Sequence, residues 1–259
     1  MMDKIREVYE YRAFFRQLLY QQLRQRYQGS VLGFLWTLLN PLLIFVSFSV
    51  IFSILNNWDL KDYGIYFLSG YVAWNFFANS CLSAAESVVG HAPYVTKVYV
   101  PKAVFPLASV AVNLVDLLAG LAILFLIMVF VGAPFSLAML FLPVSVFLLI
   151  LFTTGAALLS AGWNVVFRDF RYLLSSLLFV WFFFTPILWK ADQVKGKMAA
   201  NYVQYNPTAW FVQLFQAPVW KGELPPAETV ATAALIATFI FLAGVYSFLR
   251  SERTFFYYL

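Results

Sequence analysis

Long uncharged stretches dominate the chain and are separated by short polar segments. No charged side chain occurs between Arg26 and Asp59, and a second uncharged stretch lies between Asp62 and Glu86. A helix rises about 1.5 Å per residue, so about 20 apolar residues cross the hydrocarbon core of a bilayer. Each stretch therefore predicts one membrane-spanning helix. The two predicted spans are residues 31–55 and 63–85.

The uncharged stretch from Leu117 to Phe167 is too long for a single crossing. It contains Gly132-Ala133-Pro134, which is typical of a turn and divides it between two helices. Two further apolar stretches follow nearer the C-terminus. These four predicted spans are residues 104–131, 135–164, 172–189 and 229–249. The pattern predicts an all-α integral membrane protein with six transmembrane helices in a single domain, residues 1–259.

Two segments do not have the pattern of a plain span. Residues 1–28 place apolar and basic side chains on opposite faces of a helix, which is typical of an amphipathic helix lying in the membrane interface. Residues 191–226 combine turn residues with large apolar side chains. Short re-entrant helices would satisfy their backbone hydrogen bonds internally at membrane depth. Whether these helices gate a path or only pack against the bundle is left open by the sequence.

Composition and charge agree with a bilayer environment. Hydrophobic residues make up 63% of the chain and charged residues 11%, against about 45–50% and about 25% in soluble domains. The arginines fall near the two ends of the chain and between the fourth and fifth predicted spans. Basic residues are retained on the cytoplasmic side, so both termini are predicted to be cytoplasmic. The net charge of +5 is explained in this way, and no nucleic-acid partner is predicted.

Candidate catalytic chemistry is sparse. Cys81 is the only cysteine and His91 the only histidine, so no disulfide, metal site or catalytic residue is predicted. The phosphate-binding pattern G-x-x-x-x-G-K-[ST] is absent, so ATP is not expected to bind this chain by that route. Asp116 lies within a predicted span and Glu86 at the end of another. An aspartate at this depth either serves function or holds a neighbouring helix.

Five motifs occur in order along the chain. They are residues 26–36 (RYQGSVLGFLW) closed by Asn40-Pro41-Leu42, then Pro101-Lys102 with Phe105-Pro106-Leu107, Phe167-Arg168-Asp169 with Tyr172, Phe184-Thr185-Pro186-Ile187, and Tyr205-Asn206-Pro207. Together they resemble the landmarks of ABC-2 type polysaccharide-export permeases, such as those for O-antigen, capsule and teichoic acid. The resemblance spans nearly the whole chain.

The resemblance implies a homodimeric permease in the bacterial cytoplasmic (inner) membrane, paired with two copies of an ATP-binding cassette subunit. ATP and Mg would bind that partner, and this chain would hold no cofactor and would not be an enzyme. The implied substrate is a polysaccharide linked to polyprenyl pyrophosphate, such as O-antigen. Teichoic acid, capsule, a drug or another lipid are alternative cargoes. An intramembrane transferase acting on lipid-linked sugars is the alternative from another functional class.

Three groups of candidate site residues follow. Two prolines bracket a short segment of apolar anchors rimmed by basic residues, as in a helix that docks into a partner's groove, and the resemblance makes it the coupling segment, residues 90–102. Its candidate residues are His91, Tyr94, Val95, Lys97, Val98, Tyr99 and Lys102. The N-terminal amphipathic helix is either a topological anchor or, as the resemblance implies, a cytoplasmic gate. The candidates there for receiving the lipid pyrophosphate are Arg24, Arg26 and Tyr27. Aromatic rings that either stack on passing sugars or face lipid are Phe34, Trp36, Phe179, Trp181 and Phe183.

Overall fold

The computed structural model describes residues 10–33, 35–56, 59–92, 100–190, 203–252 and 254–258. Throughout these residues the regular secondary structure is helical. The helices are α1 Arg12–Tyr27, α2 Leu35–Asn56, α3 Leu60–Gly90, α4 Val104–Val131, α5 Leu142–Val166, α6 Phe170–Phe184, α7 Pro207–Gln216 and α8 Ala227–Glu252. Short helical turns lie at Leu137–Phe141, Ala217–Lys221 and Phe255–Tyr257.

Four segments are long and apolar enough to cross a membrane. They are Leu35–Phe52, Val104–Val131, Leu137–Val166 and Ala227–Glu252. α6 is apolar but has only 15 residues, and α3, with 31 residues, carries several polar side chains. Among the described residues, length and composition therefore support four of the six predicted spans.

α3 is the central helix of the bundle. It packs most extensively against α4 and α5, and it also contacts α2 and α7. Most of its side chains are buried, including the large rings of Tyr63, Phe67 and Phe76. The rings continue across the bundle, since Phe77 stacks on Phe152 of α5 with ring centroids 5.0 Å apart. α3 thus serves as the helix on which the others are assembled.

α5 and α8 approach each other backbone to backbone. A Cβ atom added to Gly244 would overlap the backbone of Gly155, and one added to Gly155 would overlap the backbone at Ile240. Small residues allow this close approach, which is typical of helix pairs in membranes, where association depends on van der Waals packing. The two glycines therefore determine how closely α8 packs on α5.

The predicted span over residues 172–189 ends earlier in the structure. α6 stops at Phe184, because Pro186 has no N–H and disfavours helical backbone in the residue before it. The chain beyond the break is held by α3. The Tyr66 hydroxyl lies 2.9 Å from the carbonyl oxygen of Pro186 and 2.6 Å from that of Trp189, and it donates to this pair of acceptors.

Both ends of the described chain meet at one end of the bundle. Leu18 of α1, Phe105 of α4, Phe248 of α8 and Phe255 near the C-terminus belong to one buried cluster. The rings of Phe14 and Phe105 meet edge to face, with centroids 6.1 Å apart. The apolar face of α1 therefore packs on the first turns of α4, at the same end as the C-terminus.

Candidate functional site

The guanidinium of Arg26, at the end of α1, reaches Asp116 near the middle of α4. It forms an ion pair with Asp116, and its second terminal nitrogen donates to the Asn113 Oδ1 atom at 3.1 Å. The Asn113 Nδ2 atom donates in turn to the Ser83 hydroxyl of α3 at 2.8 Å. The Asp116 side chain is 17% exposed and that of Arg26 is 36% exposed. A connected polar network therefore joins α1, α4 and α3.

The backbone after α1 explains how Arg26 comes to face the bundle. Gln28 is extended, and Gly29 and Gly33 have φ angles of +80° and +48°. These left-handed conformations are readily adopted by glycine. The chain turns here and enters α2 at Leu35, while the body of α1 packs on α4.

A polar cavity of about 390 Å³ lies beside this network. Its lining residues are Arg26, Trp36, Thr37, Asn40, Pro41, Ile44, Tyr71, Asn75, Asn79 and Asp116. On α3, the Asn79 Nδ2 atom donates to the Asn75 Oδ1 atom at 3.0 Å, and the Tyr71 hydroxyl lies 3.4 Å from the same oxygen. Residues four apart lie on one helix face, so this row of side chains points into the cavity. We call this cavity of about 390 Å³ the central cavity.

A second cavity, of about 530 Å³, lies at the end of α3 near His91. Ser83 and Glu86 line it from α3, Arg168 from the connection between α5 and α6, and Arg171 from the first turn of α6. Arg171 forms an ion pair with Glu86. This end cavity therefore has a strongly charged rim.

The opposite end of α3 carries another ion pair. The Lys190 ammonium lies 2.8 Å from the Asp62 carboxylate, and the Trp220 indole donates to the same carboxylate at 2.6 Å. The ammonium also lies 4.5 Å from the centroid of the Trp220 ring. These contacts fasten the segment after α6 and the turn after α7 to the start of α3.

The two described ends of the predicted coupling segment are anchored to the bundle. The His91 ring stacks on Phe105 with centroids 5.0 Å apart, and its Nδ1 atom lies 2.7 Å from the Ser87 carbonyl oxygen. The Lys102 ammonium donates to the Glu252 carbonyl oxygen at 2.7 Å. The other predicted coupling residues, Tyr94, Val95, Lys97, Val98 and Tyr99, lie outside the described residues.

The predicted gate and aromatic residues fall in different places. Arg24 is exposed on α1, and the Tyr27 side chain and Phe34 lie outside the described residues. Trp36 lines the central cavity, whereas Phe179, Trp181 and Phe183 do not. Phe179 and Phe183 are exposed on α6. The Trp181 indole donates to the Asn206 Oδ1 atom at 2.9 Å and thereby ties α6 to the start of α7.

Sequence reasoning did not identify the polar row on α3. Tyr71, Asn75, Asn79 and Ser83 recur every four residues inside a stretch that is otherwise apolar. This spacing places them on one helix face, and polar side chains at membrane depth are functional candidates. The signal was therefore present, although the partners on α1 and α4 depend on the tertiary fold.

The apolar helices of this bundle are typical of a multi-pass membrane protein. The chain belongs to the ABC-2 type transporter family, whose model matches residues 13–220. It is 29% identical over 254 residues to the O-antigen export system permease protein RfbA of Myxococcus xanthus, covering 98% of this chain and 97% of that protein. It is 28% identical over 205 residues to RfbA of Klebsiella pneumoniae, covering 79% of each chain. The family resemblance of the sequence motifs is confirmed.

Proposed function

We propose that this chain is the membrane subunit of an ABC transporter that exports a lipid-linked polysaccharide of the O-antigen type across the bacterial inner membrane. The observation that carries this proposal is the match, over 98% of this chain and 97% of the relative, to an O-antigen export permease. A cavity lined by amides and aromatic rings inside a helical bundle is consistent with a carbohydrate cargo. The polymer would be carried on polyprenyl pyrophosphate.

The ion pairs at the two ends of α3 support a topology with six crossings and both termini in the cytoplasm. The ion pairs at Asp62 and Glu86 are separated by about 36 Å of helix, close to the hydrocarbon thickness of about 30 Å. Their partners, Lys190 and Arg171, lie at the two ends of the α6 segment. α3 and the α6 segment therefore run antiparallel over the same distance. Charged groups at both ends and only uncharged side chains between them suit two membrane crossings.

The energy for export would come from a partner. In this proposal, two copies of an ATP-binding cassette subunit dock on a homodimer of this chain. ATP and Mg would bind the partner subunits, and this chain would hold no cofactor. The docking surface would be the coupling segment, residues 90–102. Its described ends, His91 and Lys102, lie at the same end of the bundle as α1 and Phe255, which is the end that the arginine distribution assigns to the cytoplasm.

The lipid pyrophosphate would be received near the end of α1. Arg24 is exposed there, whereas Arg26 is paired with Asp116. An anionic head group would meet Arg24 and would accept hydrogen bonds from the remaining N–H donors of Arg26, which stays paired with Asp116, since guanidinium groups present several donors to phosphate. Tyr27 lies beside them in the chain. Four aromatic residues stay candidates for contact with sugar or lipid. They are Phe34 and Trp36 at the start of the first predicted span and the exposed Phe179 and Phe183 of α6.

Co-purification with the candidate ATP-binding subunit tests the assembly. We expect a stable complex whose ATP hydrolysis responds to the permease, and we expect Tyr94→Ser, Val98→Ser and Tyr99→Ser together to weaken association. Tyr257→Ser is the matched control, because Tyr257 is an exposed tyrosine at the same end of the bundle. Association that is unchanged by the triple substitution would contradict the coupling segment. Transfer of sugar by the purified chain without an ATPase would favour the transferase alternative.

A further inference from the structure

We propose that the central cavity binds an uncharged sugar unit of the exported glycan, with Asn75 and Asn79 as its hydrogen-bonding residues. This inference rests on the proposed function for the class of cargo. It goes further by assigning a ligand class to a site formed by α2, α3, α4 and the end of α1. The site lies about midway along α3, between the ion pairs of Asp62 and Glu86.

The side-chain amides of Asn75 and Asn79 have hydrogen-bonding groups that a ligand can use. Asn75 and Asn79 share one hydrogen bond through the Asn75 Oδ1 atom. Within the part of the chain that the structure describes, the Nδ2 atom of Asn75 and the Oδ1 atom of Asn79 have no protein partner. Both side chains are half-buried, and polar groups removed from water are normally hydrogen-bonded. Each amide therefore presents a free donor or acceptor to the cavity.

The side chains across the cavity add groups suited to a sugar. Asn40 of α2 also lines the cavity, and its side-chain amide is unpaired among the described residues. An amide offers both donors and acceptors, which matches neighbouring hydroxyl groups. Trp36 and Tyr71 supply rings with one apolar and one polar region, which can cover the apolar C–H face of a sugar ring. The volume of about 390 Å³ lies at the small end of ligand sites, which measure about 300–1,000 Å³.

Electrostatics favours an uncharged ligand over an anion. The two charged groups of the cavity, Arg26 and Asp116, neutralise each other. An anionic ligand would have to separate this pair and leave the carboxylate at membrane depth without a partner, which is costly. A neutral sugar leaves the pair intact and bonds only to the amides. The pyrophosphate group is therefore expected to stay nearer to Arg24, outside this cavity.

The cavity also lies next to a route from the charged end of the bundle. Ser83, one turn after Asn79 on the same face of α3, lines the end cavity. The Asn113 amide that bonds Ser83 is the one held by Arg26. The polar row of α3 thus passes from the end cavity to the central cavity beside the Arg26 network. Successive sugar units could exchange hydrogen bonds along this row as the polymer advances.

Photo-crosslinking in cells that produce the glycan tests the ligand. A benzophenone amino acid at position 79 is expected to capture the glycan in the assembled transporter. The same group at Leu235 is the matched control, because that side chain is exposed on the apolar helix α8, and it is expected to capture lipid only. Capture of the carrier lipid without sugars at position 79, or no capture of glycan there, would overturn the proposal.

Export by the Asn75→Leu and Asn79→Leu double variant gives an independent measurement. Leucine keeps an apolar helix foldable in a membrane, and assembly is checked by co-purification with the ATPase. We expect glycan export to fall about tenfold or more, as lost hydrogen bonds of about 1 kcal/mol each predict. Unchanged export would overturn the sugar site while leaving the proposed function intact. Absence of export by the unmodified protein would instead defeat the proposed function itself.

Discussion

Arg26 and Asp116 form an ion pair that fastens the last turn of α1 to the interior of α4. A carboxylate within an apolar span requires a partner, and here the partner comes from a helix that otherwise contacts the bundle through Leu18 and its neighbours. The pair has two consequences. It holds α1 in place, and it keeps the central cavity electrically neutral.

Separating this pair is expected to destabilise the protein in a non-additive way. Asp116→Asn and Arg26→Gln should each lower the melting temperature in detergent, because each leaves a charged group without its partner. The double variant should be more stable than the sum of the two losses indicates. We expect a coupling free energy of about 0.5–3 kcal/mol. Arg24→Gln, on the exposed side of α1, is the control and should be neutral for stability. Additive single losses would show that the pair makes no contribution.

Close packing of α5 and α8 predicts a large effect from one methyl group. Gly244→Ala places a Cβ atom against the backbone of Gly155, so the helices must move apart. We expect a destabilisation of about 1–3 kcal/mol from this overpacking, measured as a lower melting temperature. Gly162→Ala, on the partner helix α5, is the matched control, because the nearest atom to an added Cβ is 3.9 Å away. Equal stability of the two variants would contradict the packing of this helix pair.

The crossing by α3 can be tested by labelling single cysteines at its two ends. Leu60→Cys and Gly90→Cys place thiols at sites that are exposed or have open space, whereas native Cys81 is buried. A maleimide that cannot cross the cytoplasmic membrane should label position 60 but not position 90, which should react only after the membrane is opened. Labelling of both positions from the outside would contradict the six-span topology.

The uncharged stretches predicted the helical architecture because every backbone polar group in hydrocarbon must be hydrogen-bonded, and stretches of about 20 residues fit helices that bond within their own segment. The same criterion was weaker for α3 and α6. α3 carries Asn75 and Asn79 inside its predicted span, and α6 is cut short by Pro186. Mean hydropathy reports neither the cavity that the polar residues of α3 face nor the end of a helix at a proline. Polar residues at the centre of a span lower its apparent suitability for the membrane although they face a cavity.

The candidate site was predicted only in part. The motif at residues 26–36 contains Arg26 and Trp36, which both line the central cavity, and their roles in gating and in contact with sugar stay predictions. The pairing of Arg26 with Asp116 was not predicted, because the two residues are distant in sequence and are brought together only by the packing of α1 on α4. The aromatic residues of α6 were grouped with Trp36 by composition alone. The structure separates them from the central cavity, and Trp181 instead bonds Asn206.

Export of glycan by cells that receive both subunits tests the central claim most directly. Cells that synthesise a lipid-linked O-antigen but lack their own exporter would receive this chain together with its ATP-binding partner, and surface glycan would be measured with an antibody. We expect surface glycan only when both subunits are present and the partner's phosphate-loop lysine is intact. Glycan that remains in the cytoplasm with both active subunits present, or that reaches the surface without ATP hydrolysis, would contradict the account.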